Sequence, residues 1–210
     1  MSSELILIRH GVTAWNKERR FQGHVDIPLD AQGEQQALAL GKFMRSQAKP
    51  DALFASDLSR TIATAKPMAE AFAMPLQLAP EWRERHYGSF EGLDHAELTA
   101  QYPQEFDRWR ARELDFPLPG GGESVRDFHA RIVGALQIMS LRFEAGAKRI
   151  VVVTHGGVLG CVYRIAMGLA ANDLIKVPME NTGVNRLWFD PAGGEAPWQV
   201  RAWGELTHLV

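Results

Sequence analysis

Cysteine is almost absent: Cys161 stands alone among 210 residues. One thiol cannot close an intramolecular disulfide, and a CxxC-type zinc or redox site needs at least two. Neither charge is in surplus, with 23 Lys plus Arg against 25 Asp plus Glu and a formal net charge of −2. General nucleic-acid binders carry a basic excess and charged-tail proteins carry blocks of one sign, so neither class fits. No run reaches the ~20 apolar residues of a membrane span. The best stretch, residues 150–171, is interrupted by Thr154, His155, Gly156, Gly157 and Arg164. The apolar run at residues 5–8 stops at Arg9, too short for a secretory core, and a cytoplasmic protein is expected. The patterns GxxxxGK[ST] and HExxH are missing, which removes support from nucleoside-triphosphate and zinc-protease readings.

What remains is ample for one α/β domain with its own core: 46% of residues are apolar, and the expected unit is a single domain over 1–210. Residues 5–8 form a continuous apolar run, as in a strand buried on both faces. Ala37, Leu40, Gly41, Met44 and Ala48 recur at helical spacing behind Asp30, a suitable N-cap, and Pro50 stops the pattern. Residues 52–55 read as a second strand. A helix from Ser56 or Asp57 buries Ile62, Ala65, Ala69 and Phe72, and Pro67 within it predicts a kink or a split. Residues 76–79 suit a short strand. The aromatic and charged stretch 81–122, with a helix after Asp94, reads as a small cap insertion. Ser124 and Asp127 have capping-box spacing, and Val125, Phe128, Ile132, Leu136, Met139 and Phe143 form the stripe of the helix that follows. Residues 150–154 form a buried strand, Gly157 opens a short helix, and residues 184–189 and 198–203 suggest a terminal hairpin. Strands alternating with helices predict a three-layer α/β/α sandwich with a mostly parallel sheet.

Polar chemistry collects at the C-terminal ends of these strands. Arg9 and His10 follow the first, Arg60 the second, Glu84 the third and His155 the strand at 150–154. In an open α/β sheet these ends share one rim, where ligands bind. Taken singly, His10 or His155 is as readily a hydrogen-bonded core residue, Arg60 a helix-surface charge and Glu84 half of a surface ion pair; their joint placement carries the functional reading. Guanidinium forks match phosphate oxygens, the glycines Gly11, Gly156 and Gly157 admit backbone N–H groups, and the helix beginning at Gly157 adds its dipole. The expected ligand is a small phosphomonoester. A neutral imidazole can attack phosphorus, cations can hold the charge in flight, and Glu84 can serve as acid and then base. His24, His86, His95, His129 and His208 share no ligand spacing, so no metal is expected.

Five ordered blocks resemble the histidine phosphatase superfamily, also called the phosphoglycerate mutase-like family. They are Arg9-His10-Gly11 with Thr13, Trp15 and Asn16; Arg20-Phe21-Gln22-Gly23 with Asp26; residues 56–61; Gly121-Gly122-Glu123-Ser124; and residues 153–157. Asn181-Thr182 also fits. The resemblance implies a sheet with one antiparallel strand and a metal-independent reaction in which His10 carries the phosphoryl group. It implies phosphate binding by Arg9, Arg60 and His155, a proton from Glu84, and substrate contacts from Asn16, Gln22, Gly23, Tyr87 and Gly156. It also implies a homodimer by analogy. Residues 84–88 resemble the mutase branch, whose members use 2,3-bisphosphoglycerate as a primer; a phosphatase would need no cofactor. The mutase lysine is replaced by His95, and the paired arginines read Arg110-Ala111 with Arg112 beyond. A mutase must exclude water and hold a second anion, and the charges of the cap are mixed, so hydrolysis is the first expectation. A phosphoglycerate mutase is the alternative, and a non-catalytic phosphate-binding module the third.

Overall fold

Side chains on a β-strand alternate between faces, and here that alternation divides the core in two. The computed structural model describes residues 3–194 and 196–209. Its strands are β1 (Ser3–Arg9), β2 (Ala52–Ala55), β3 (Leu76–Leu78), β4 (Arg149–Thr154), β5 (Val184–Phe189) and β6 (Trp198–Glu205). Its α-helices are α1 (Ala14–Lys17), α2 (Ala31–Arg45), α3 (Ser59–Phe72), α4 (His95–Gln101), α5 (Pro103–Arg110), α6 (Val125–Glu144) and α7 (Gly156–Ala166). The sheet order is β3-β2-β4-β1-β5-β6. β5 runs antiparallel to both of its neighbours, while the β1–β4, β4–β2 and β2–β3 pairs are parallel.

Leu5, Leu7, Phe54, Ile150 and Val152 face α6 and α7, meeting Phe128, Ile132, Leu136, Met139, Val158 and Val162. The alternate residues Ile6, Ile8, Leu53, Val151 and Val153 face α2 and α3, meeting Leu40, Met44, Ala65, Met68 and Phe72. Helices therefore cover both faces of a mostly parallel sheet, giving the α/β/α sandwich that the strand–helix alternation predicts. A third apolar cluster joins Phe21 to Phe90, Leu98, Phe106, Phe116 and Leu118 of the stretch 81–122.

The helix caps follow the sequence in three places. Asp30 accepts from the Gly33 N–H at 2.8 Å and Ser124 from the Asp127 N–H at 3.0 Å, while Asp94 and Glu97 form a reciprocal box. Three details differ from expectation. α2 ends at Arg45, and Ala48 lies exposed beyond it. α3 starts at Ser59, because the obvious caps are occupied: Ser56 Oγ lies 2.7 Å from His155 Nε2 and Asp57 pairs with Arg83. Asp26, from a distant loop, takes the Ser59 N–H at 2.9 Å instead. α3 also runs unbroken through Pro67. Tertiary packing supports it there: a Cβ on Gly41 of α2 would lie 2.6 Å from the Pro67 Cβ, so glycine lets the two helices close on the ring.

Candidate active site

The register of the central strands brings the polar residues together. Arg9 lies opposite Thr154 and Ala55 opposite Val153, so β1, β4 and β2 end at one rim. The chain leaves β1 at His10, whose N–H donates to the Thr154 carbonyl at 2.9 Å, and leaves β4 at His155. The two imidazole rings meet edge to face with centroids 5.2 Å apart. His10 Nδ1 lies 2.7 Å from the Gly11 carbonyl oxygen. A carbonyl only accepts, so in the neutral ring Nδ1 carries the hydrogen and Nε2 holds the lone pair. Burial, together with the Arg60 and Arg9 cations, pushes the pKa of His10 well below the usual histidine value, and burial and Arg60 do the same to His155.

The cations are held by carbonyl oxygens rather than by carboxylates. Arg60, fully buried in the first turn of α3, donates to the carbonyls of Gly23 at 2.7 Å and Val25 at 3.1 Å, and burial lowers its pKa to about 10. Arg9 donates through Nη1 to the Met179 carbonyl. Among the described residues six buried side-chain nitrogens have no hydrogen-bond partner; besides Trp82 Nε1 and His208 Nδ1, they are Arg9 Nε, Gln22 Nε2, Arg60 Nε and His155 Nδ1, all on residues of this rim. Orphaned buried polar atoms are costly and uncommon, and four in one place are the signature of a polar ligand site.

Glu84 follows β3 after a short 3-10 turn at Pro80–Trp82. Its Oε1 accepts from the Arg85 N–H and its Oε2 from the Gly157 N–H, each at 2.8 Å. A Cβ at Gly157 would fall 2.1 Å from Glu84 Oε1, so only glycine admits the carboxyl here. Burial raises the pKa of Glu84, outweighing those two hydrogen bonds and the Arg60 and Arg9 charges.

A cavity of about 380 Å³ is lined by Arg9, His10, Asn16, Gln22, Glu84, Tyr87 and Gly156, and exposed Arg19 on its wall carries it to the surface. Arg60, His155 and Gly23 stand behind this lining rather than in it. Two expected backbone donors are otherwise engaged: the Gly11 N–H donates to Thr64 Oγ1 at 2.9 Å, and the Gly157 N–H is the one held by Glu84. Tyr87 is half-buried, and its desolvation raises its pKa.

Several supporting residues escaped sequence reasoning. Ser56 fixes His155, and Asn181 bridges the His10 carbonyl at 2.8 Å and Asn16 Oδ1 at 3.2 Å. Thr13 caps α1 and donates to Gln22 Oε1 at 3.0 Å. Ser56 and Thr13 lie in the quoted blocks and Asn181 in the pair that also fits them, where the residue types were visible but not their work. Arg131 lies outside every block. It donates to the carbonyls of Glu81, Arg83 and Glu84, and pairs with Glu123 at 2.7 Å. Among the described residues no three His, Cys, Asp or Glu side chains are grouped to hold a metal ion, and no helix is long and apolar enough to cross a membrane.

A mostly parallel α/β sandwich with two buried histidines, buried Arg60, half-buried Arg9 and a buried glutamate at one rim has the make-up expected of a phosphoryl-handling protein. The profile of the histidine phosphatase superfamily (branch 1) matches residues 5–205, and the chain belongs to that family. It is 34% identical over 208 residues to phosphoglycerate mutase-like protein 4 of Arabidopsis thaliana, covering 99% of this chain and 87% of that protein. It is 32% identical to the metal-independent phosphoserine phosphatase of the same plant, covering 99% of this chain and 83% of that protein. Bacillus stearothermophilus YhfR superposes with a TM-score of 0.87 at 32% identity, covering 99% of each chain.

Proposed function

We propose that this protein is a metal-independent phosphomonoesterase that acts on a small phosphorylated metabolite through a phosphohistidine on His10. The observation that carries the reading is the pairing of a neutral His10, its Nε2 free of its own Nδ1–H···O bond to Gly11, with a raised-pKa Glu84 on the wall of one cavity. In the first step the Nε2 lone pair forms the N–P bond, the P–O ester bond breaks, and the Glu84 carboxyl proton passes to the leaving oxygen. In the second, water attacks phosphorus and gives its proton to the Glu84 carboxylate. The N–P bond breaks, its electron pair returns to His10, and inorganic phosphate leaves. Arg9, Arg60 and His155 stabilise the equatorial oxygens, with Asn16, Gln22, Gly23, Tyr87 and Gly156 shaping the site.

Metal independence is supported by cations supplied by side chains and by the relative named a metal-independent phosphoserine phosphatase. The exposed wall at Arg19 favours hydrolysis, since water must reach the phosphohistidine. The mutase reading keeps its own support in residues 84–88 and in the relative named phosphoglycerate mutase-like. A parallel assay separates the two. Phosphate release across a panel of phosphomonoesters, undiminished by EDTA, is expected. Interconversion of 2- and 3-phosphoglycerate that depends on 2,3-bisphosphoglycerate and exceeds hydrolysis would overturn the phosphatase reading; strong EDTA inhibition would overturn metal independence. The expected setting is cytoplasmic, with a small molecule and neither nucleic acid nor membrane as partner, and a homodimer by family analogy.

A further inference from the structure

Val184 at the start of β5 pairs with Glu205 at the end of β6. That antiparallel register sets Thr182, just before the hairpin, beside His208, in the 3-10 turn Thr207–Leu209 just after it. His208 Nε2 lies 3.0 Å from Thr182 Oγ1. The Thr182 hydroxyl has one hydrogen, and the Asn181 carbonyl, which only accepts, takes it at 2.7 Å. His208 Nε2 is therefore the donor. Burial favours the neutral ring, so the hydrogen sits on Nε2 and the lone pair on Nδ1. That Nδ1 is buried with no hydrogen-bond partner among the described residues. The ring packs against Phe43 of α2, with centroids 5.7 Å apart.

Thr182 is fully buried, and its φ of 58° lies in the left-handed region. A β-branched residue is strained there and persists only where its surroundings fix it. Glycine would take the same backbone at no steric cost. What threonine brings is the hydroxyl, which joins the Asn181 carbonyl to His208. The turn so fixed grips the exit of β1. The Thr182 N–H donates to the Arg9 carbonyl at 2.9 Å, and Asn181 Nδ2 donates to the His10 carbonyl at 2.8 Å and to Asn16 Oδ1 at 3.2 Å. Three hydrogen bonds thus run in series from His208 through Thr182 and Asn181 to the backbone of His10. His208 belongs to none of the sequence blocks above and is no part of the lining of the catalytic cavity.

We propose that His208 is a positioning residue, which through the hydroxyl of Thr182 fixes the turn that sets the His10 ring for attack. The inference rests on the phosphohistidine reading of His10 and adds a residue to it. Without the Nε2 donor, Thr182 Oγ1 loses a partner inside a fully buried site, and the strained turn relaxes toward a more favourable backbone. The Arg9 and His10 carbonyls move with it. Misplacing a reacting atom by about 1 Å can cost about 100-fold in rate, so a smaller shift at His10 Nε2 still slows phosphoryl transfer.

The test compares His208→Phe, which keeps a ring on Phe43 but lacks the donor, with His208→Gln, whose amide can donate in its place, and with Thr182→Val. Single turnover of p-nitrophenyl phosphate, with enzyme in saturating excess, reads the rate constant of transfer to His10. An unfolded fraction leaves that constant unchanged, so a merely structural role would not move it. His208→Phe is expected to lose about 5- to 30-fold, and His208→Gln to return to within about threefold of wild type. Added to Thr182→Val, His208→Phe should cost less than about twofold more, because its path is already cut. An unchanged constant in His208→Phe, or full additivity with Thr182→Val, would overturn the proposal. Nitrogen-15 NMR of the histidine-labelled wild type stands as a test even where a variant does not fold: His208 is expected as the Nε2–H tautomer, and the Nδ1–H tautomer would overturn the proposal. Absence of a phosphorylated His10 in the wild type would overturn the phosphohistidine reading alone. The same spectra then decide the positioning: His10 ring signals that shift in His208→Phe and return in His208→Gln support it, and signals that stay unmoved overturn it.

Discussion

A histidine attacks with whichever ring nitrogen is left unprotonated, and at residue 10 the Gly11 carbonyl decides which that is. Burial shifts His10 toward its neutral form and raises the Glu84 pKa, the directions that the proposed nucleophile and the proposed acid each require. Glu84→Gln keeps the shape but lacks the acid. Hydrolysis of an alkyl phosphate is expected to fall about 10²- to 10⁴-fold, with a far smaller loss on p-nitrophenyl phosphate, whose leaving oxygen needs little protonation. Steady-state rates on the two substrates check this, and equal losses would remove Glu84 from the acid role. At this scale the sequence was legible where a block was dense. Arg9, His10, Arg60, Glu84 and His155 could be named from strand ends, whereas Ser56 and Asn181 act through hydrogen bonds that no spacing reveals.

At the scale of elements, α6 does more than cover the sheet. Arg131, on the helix opened by Ser124, gathers the carbonyls of Glu81, Arg83 and Glu84, and His24 Nε2 reaches the Glu84 carbonyl at 2.9 Å. The segment bearing Glu84 is therefore strapped to a helix, and under the proposed mechanism Arg131 is a positioning residue. Arg131→Met should lower alkyl-phosphate turnover about 10- to 100-fold through misplacement of Glu84, move the alkaline limb of the pH–rate profile, and spare p-nitrophenyl phosphate more. A uniform loss on both substrates with an unshifted profile would reduce Arg131 to a structural part. Element existence could be read from apolar period and caps. Boundaries failed where long-range bonds intervened: Asp26 caps α3 from 33 residues upstream, and Gly41 shelters the proline that was expected to kink or split it.

For the whole molecule, the buried histidines tie stability to pH. Their folded pKa values lie well below those of the unfolded chain, so the contribution is complete above the ordinary histidine pKa and is lost as pH falls through the folded values. Stability should decline from about pH 6.5 downward, with each of His10 and His155 adding up to about 1.4 kcal/mol per pH unit. Urea melts between pH 8 and 5 check this; His155→Gln should flatten the slope, and an unchanged slope would contradict it. The sheet and its rim were readable from alternating strands and helices. The hold of His208 on Thr182 was not, because a terminal hairpin implies that the two lie near each other but not the hydrogen bond between them.

The central claim is that the imidazole of His10 becomes covalently phosphorylated. Rapid mixing with a radiolabelled phosphomonoester, an alkaline quench and peptide mapping measure it most directly. An acid-labile, alkali-stable label on the peptide bearing His10, absent from His10→Ala along with at least about 10⁴-fold of the turnover, is the predicted result. Label on another residue, or steady turnover with none on His10, would contradict the account.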